Sequence, residues 1–194
     1  MPRVSREQTD RNRVAIEDVS ARLFREQGFN GVSVADLMAA AGLTHGGFYG
    51  HFASKDALAA AACGKAFAQS AQRWESRIAT HADPRAAFRA IAAGYLAAAS
   101  RDDAGSGCPA VALATDVARE APDKPVRAVY LAGVEGMLDT LAALSTQNEP
   151  AARRDEALLQ LAAMAGALML ARATQGEPVS DQMLAAVSAF LNRT

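Results

Sequence analysis

Alanine, more than any other residue, limits what this chain can fold into. Forty-seven of its 194 residues are Ala, while Val and Ile together number 15. Alanine is the best helix former, and the β-branched residues that build strands are scarce, so closely packed helices are favoured over sheets. The remaining Leu, Met, Phe and Val recur at helical spacing, which argues against disorder. The length supports one or two compact domains with a substantial core. The expected fold is all-α, with about nine helices read from periodicity and punctuation.

Charge and cysteine content narrow the function classes. The formal net charge is −1, so there is no broad basic footprint for indiscriminate polyanion binding. The longest apolar stretches, 57–63 and 161–171, are too short and too rich in alanine for a membrane span. The first six residues are polar, without the apolar run of a signal peptide, so a cytoplasmic location is expected. Cys63 and Cys108 form neither a C-x-x-C motif nor a zinc spacing and suit a reducing compartment. Neither a metal nor a cofactor is expected.

Along the chain, helical patterns cover about 11–27, 34–41 and 45–52 before a long helix from 54 to about 79. Gly28 and Gly42 stand just past helix ends, and Phe29 is placed to fold back on the first helix. Ser33 is an N-cap candidate with Asp36 three residues on, the pattern of a capping box. Two short helices joined by a glycine turn form a helix-turn-helix, which lays its second helix in a DNA major groove. Further helices are expected from Pro84, from Cys108 to about Glu120, over 126–144, and as a last pair over 151–174 and 180–191. Residues 101–107 read as the clearest loop. The domains divide as 1–58 and 59–194.

Within the first domain, Thr44 is positioned to cap the second short helix and to donate to a phosphate, which the positive helix end also favours. Phe48 and Phe52, at i and i+4, make its buried face. Tyr49 and His51 point to different sides, either toward phosphates or over a small core. His45 is the side chain freest to reach a base edge. Gly46 and Gly47 allow close backbone approach, and Lys55, behind the Ser54 cap, can grip a phosphate.

Residues 31–58, from Gly31-Val32-Ser33 through Gly42-Leu43-Thr44 and Phe48-Tyr49-Gly50-His51-Phe52 to Ser54-Lys55-Asp56, resemble the DNA-binding signature of the TetR/AcrR family of transcriptional regulators. Leu23-Phe24 and Gly28-Phe29 precede it in register. The resemblance implies phosphate contacts from Ser33, Thr44, Tyr49, His51 and Lys55, with His45, Gly46 and Gly47 lying against the DNA. Gly50 departs from the larger residue common there, and Glu17 and Ser20 replace residues that are commonly apolar. Arg3, Arg6 and Arg11 are weaker candidates, as an arm reaching DNA.

The resemblance further implies a homodimer through the last two helices on a palindromic operator, with a sensing domain for an unknown small molecule. The stripe Leu158, Leu161, Ala165, Leu168 and Arg172 is expected at the interface, facing Met183, Leu184, Val187, Phe190 and Leu191. Trp74, Phe67, Phe88, Tyr95, Tyr130, Met137, Met164 and Met169 are candidates for lining an effector pocket. Cys108 begins a helix after Gly107. It is read either as a thiolate stabilised by that helix end or as a small buried packing residue. Its position is similar to that of a reactive cysteine in electrophile-responsive members of the family.

Two other function classes were weighed. An enzyme using Cys108 as nucleophile needs a base, yet His45, His51 and His81 all precede it and two of them sit in the DNA motif. A helical adaptor would show no salt-dependent DNA binding. The expected function is a non-enzymatic transcriptional regulator, a repressor released from DNA by a small molecule, electrophile or oxidant.

Overall fold

In the computed structural model, which describes residues 6–193, glycine sets the first helix end. α1 (Arg6–Gln27) stops where Gly28 takes φ 76°, a left-handed conformation that side chains resist. The turn brings Phe29 back onto Phe24, their ring centroids 5.3 Å apart in an edge-to-face pair. α2 (Val34–Ala40) starts on the expected capping box: Asp36 N–H donates to Ser33 Oγ at 3.2 Å, and Ser33 N–H donates to the Asp36 carboxylate at 3.0 Å. Gly42, φ 72°, turns the chain toward a 3-10 helix (His45–Gly50).

The other elements are α3 (Lys55–Ile78), α4 (Pro84–Tyr95), α5 (Ala98–Asp102), α6 (Pro109–Ala112), α7 (Ala114–Arg119), α8 (Pro125–Leu144), α9 (Pro150–Ala173) and α10 (Pro178–Leu191). Among the described residues the fold is all-α, with eleven helical segments rather than nine. Three differences from the sequence reading have local causes. α1 begins earlier because Glu7–Arg11 and Gln8–Asn12 pair one turn apart. The helix expected from Cys108 to Glu120 breaks at Leu113, which is buried and serves as both the end of α6 and the start of α7. Arg101 and Asp102, expected in a loop, close the short helix α5.

α3 is the spine, packing on α1 along one side and α8 along the other. Its alanines permit this: Ala59, Ala62 and Ala66 are buried at contacts where a longer side chain would hold the helices apart. On the α8 side, the Phe67 ring lies against the backbone of Gly133, in space that a Cβ would occupy. On the α1 side the seam is polar. Lys65 pairs with Asp18 at 3.1 Å, and Gln69 donates to Asp18 at 3.2 Å. Arg25, 6% exposed, donates to Ala21 O at 2.8 Å, to Gln69 Oε1 at 3.0 Å and to Gly107 O at 3.0 Å. Burial lowers its pKa to about 10.

α9 is long and apolar enough to span a membrane by length and composition, but it is packed against α8 and α10 within the domain. The interface stripe expected on it is corrected. Leu161 and Leu168 face the core, and Arg172 reaches inward to donate to Ser100 O at 2.7 Å. On α10, Leu184 and Leu191 are buried as well. The exposed apolar residues are Leu158, Leu159, Met169 and Leu170 on α9 with Val179 and Phe190 on α10.

Arg25→Met removes a charged donor from three buried acceptors while keeping most of the volume. Its expected cost is about 2–3 kcal/mol, the usual scale for hydrogen bonds to a charged group. Urea unfolding of the two proteins measures it, and a change within experimental error contradicts the role assigned to Arg25.

Candidate nucleic-acid interface and adjoining cleft

The segment between α2 and α3 turns its apolar residues inward and leaves the rest exposed. Phe48 and Phe52 are buried and stacked, with centroids 6.1 Å apart. Arg13 of α1 closes this small core from outside: its guanidinium lies 4.5 Å from the Phe52 ring centroid and donates to His51 O at 2.8 Å. Val32, Leu37 and Met38 complete the support. The helix expected over 45–52 is therefore present, but as a six-residue 3-10 turn. Its three glycines weaken the case for a regular α-helix.

Ser33 caps α2 with both its backbone N–H and its hydroxyl committed to Asp36, Oγ at 2.6 Å. These bonds hold the Asp36 carboxyl below its ordinary range. A phosphate at Ser33 would have to compete with that carboxylate. Thr44 stands at the start of the 3-10 helix, accepting from Gly47 N–H at 3.0 Å, but the expected hydroxyl cap does not form. The hydroxyl is left without an internal partner. His45, Gly46 and Gly47 are exposed.

Tyr49 is 74% exposed, its ring leaning edge-to-face on Phe48 of the small core with centroids 5.2 Å apart. His51 is half-buried, its Nδ1 enclosed and without a partner. Lys55, at the first position of α3 behind the Ser54 cap, forms no ion pair. Its neighbour Asp56 instead pairs with Lys124 at 2.5 Å, which ties the start of α8 to the start of α3.

None of Gly46, Gly47 or Gly50 has a positive φ. A Cβ on Gly46 or Gly50 would meet no other atom of the protein, and one on Gly47 would make only ordinary contacts. Backbone strain therefore explains none of the three, and each leaves open space on the outer surface. Of the arm residues, Arg11 is paired with Glu7 at 2.6 Å and Arg6 is exposed, while Arg3 lies outside the described residues. The departures on α1 resolve locally: Glu17 pairs with Arg13 at 3.1 Å, and Ser20 is fully buried with its hydroxyl unpartnered.

Behind this surface a cleft of about 280 Å³ opens between α3, α4, α5 and the turn before α6. Trp74 and Tyr95, both expected at an effector pocket, line it together with Cys108. Of the other candidates, Phe67 and Met137 line a separate groove, and Tyr130 donates to Ala110 O at 2.6 Å. Phe88 and Met164 are core, and Met169 is exposed. No group of His, Cys, Asp or Glu suited to a metal occurs among the described residues.

The sequence reading missed the arginines around this cleft. Arg25, Arg73, Arg77 and Arg172 are too far apart in the chain to suggest a cluster.

Of the two readings of Cys108, the surroundings match the buried packing residue. The thiol is buried, and its pKa is raised. The neighbouring backbone amides, Tyr95 and Arg172 favour the thiolate, but desolvation outweighs them. α6, with four residues, is too short to build the helix-end field that was expected. N-ethylmaleimide should label Cys108 more slowly than free cysteine at neutral pH, with a rate still rising above the usual thiol range of about 8.5. Stopped-time mass spectrometry across pH checks this, and a rate that levels off below that range contradicts it.

The sequence profile described as bacterial regulatory proteins, tetR family, matches residues 16–62, which run from within α1 through the 3-10 helix into α3. Comparison with curated proteins finds no match. Solved structures share the fold over nearly the whole chain. The reduced form of Escherichia coli NemR is 21% identical with a TM-score of 0.79, covering 94% of this chain and 96% of its own. A TetR transcriptional regulator from Chloroflexus aurantiacus is 25% identical with a TM-score of 0.77, covering 96% and 95%. AibR, solved with isovaleryl coenzyme A and operator DNA, is 18% identical with a TM-score of 0.62, covering 92% and 97%. Residues 16–62 thus form a DNA-binding domain of the tetR family of bacterial regulatory proteins, and the helical part behind it shares its fold with solved TetR-family regulators.

Proposed function

We propose that this regulator is a homodimeric repressor, acting in the cytoplasm on a palindromic operator and released when an effector enters the cleft beside Cys108. The observation that carries this reading is the Arg25 bond. Arg25 belongs to α1 of the DNA-binding domain, and it donates at 3.0 Å to the carbonyl of Gly107, the residue before Cys108. A ligand or adduct that shifts this turn displaces the acceptor and with it the C-terminal half of α1. Arg13, three turns earlier on the same helix, holds the end of the recognition segment through His51 O. Cleft and recognition segment are thus joined by one helix, the kind of contiguous element that turns a local shift into a population shift.

Thr44, His45, Gly46, Gly47, Tyr49, His51 and Lys55 supply the DNA surface in this reading. Ser33 contributes mainly by capping α2. The exposed apolar residues of α9 and α10 support a dimer through the last two helices, and Gly166 leaves room on α9 for close approach. AibR, solved with operator DNA and an acyl coenzyme A together, supports a fold that accommodates both kinds of partner.

Binding to a DNA fragment carrying the chain's own promoter should weaken steeply as salt rises. Gly46→Leu should leave the unfolding midpoint unchanged and weaken that binding by about tenfold or more, the scale of one lost major-groove fit. Salt-independent binding, or a Gly46→Leu protein with undiminished affinity, contradicts the assigned surface. Alkylation with N-ethylmaleimide should release the fragment from the wild type and not from Cys108→Ser. Equal release from both proteins removes Cys108 from the sensing role.

A further inference from the structure

The cleft beside Cys108 carries positive charge that the chain does not neutralise. Arg73 and Arg77, one turn apart on α3, both line it, and neither guanidinium donates a hydrogen bond or forms an ion pair to any described residue. Arg77 lies flat against Gly94, where a Cβ would collide with its guanidinium. Arg25 and Arg172 stand behind the turn at Gly107, each desolvated enough to lower its pKa. The one carboxylate lining the cleft is Asp103, and it is already occupied by Ser106, through the backbone N–H at 3.0 Å and the hydroxyl at 2.5 Å.

Two buried polar groups have capacity to spare. The Tyr95 hydroxyl, on a residue 5% exposed in the cleft wall, has only the Cys108 thiol beside it, and Arg172, behind the Gly107 turn, keeps its Nε without a partner. Buried donors are normally satisfied, and guanidinium pairs are the usual receptors for oxyanions. Trp74 and Leu168 supply the larger apolar groups of the wall, with Ser70, Ser100 and Ser106 among its polar ones.

We infer that this cleft is a binding site for a small organic carboxylate, its oxyanion held by Arg73 and Arg77 with Tyr95 at the inner end, its apolar body against Trp74. The volume of about 280 Å³ lies at the low end for ligand pockets, which fits a ligand of benzoate size rather than a nucleotide. The inference deepens the effector reading above and rests on it for its regulatory meaning, but binding at the cleft is measurable without DNA. Bound there, the carboxylate draws Arg73 and Arg77 inward beside the turn that holds the acceptor of Arg25.

Trp74 is the chain's single tryptophan, so its fluorescence reports on this cleft directly. The full-length protein is titrated with benzoate, inorganic phosphate and the neutral benzamide, with chloride keeping ionic strength constant. Benzoate should produce a saturable change, and benzamide should bind at least about tenfold more weakly, the scale of one charge-assisted pair. Arg73→Gln and Arg77→Gln should each weaken benzoate by a similar factor with little change in unfolding midpoint. Saturation by phosphate alone supports an oxyanion site and overturns the carboxylate assignment. Benzamide binding as tightly as benzoate, or no response to either anion, overturns the site.

Promoter binding measured in parallel separates the two claims. Salt-sensitive DNA binding without any anion response overturns this inference alone, while an anion response in a protein that does not bind DNA supports the site and overturns the regulatory reading.

Discussion

Arg25 holds two parts of this molecule in a fixed relation. Its three donors meet acceptors on α1 itself, on α3 and on the turn before α6, and little of the side chain reaches water. Burying a guanidinium is costly, so the arrangement persists only while every acceptor stays in place. In the proposed mechanism, stability and regulation therefore depend on the same contact. Anything that moves the Gly107 carbonyl leaves a charged group buried with an unmet donor, and the chain can relieve that only by shifting α1 or opening the turn.

The near-neutral charge of the chain follows from how its cations are used. The proposed DNA surface draws on a lysine at a helix start, a histidine, a tyrosine, a threonine and glycines that expose backbone, rather than on a basic patch. Arg13 and Arg25 are occupied in holding that surface to the rest of the protein. Arg73 and Arg77, near the C-terminal end of α3, face the cleft instead.

What was legible in the sequence is what local chemistry decides. Gly28 and Gly42 mark helix ends because only a left-handed residue continues the chain there, and both have positive φ. The Ser33–Asp36 capping box and the Phe48–Phe52 face depend on spacing within one turn, and both are present. The interface stripe on α9 went wrong because a helix with apolar residues on several faces gives periodicity no single answer. Leu161 and Leu168 turned out to be core, while Leu159 and Leu170 are exposed. The arginine cluster was invisible because its members come from α1, α3 and α9, and only packing brings them together. The two readings of Cys108 stayed open for a related reason: burial depends on the whole fold, and here it outweighs the local helix end.

Amide hydrogen exchange before and after alkylation of Cys108 observes the coupling most directly. A Cys63→Ala background confines the reaction to Cys108, the cysteine that lines the cleft. If Arg25 transmits the state of the cleft, the adduct should loosen residues 104–108, the C-terminal half of α1 and the recognition segment together, and Arg25→Met should confine the change to the turn. Loosening confined to the turn in the wild-type protein, with α1 exchanging as before, would contradict the coupling.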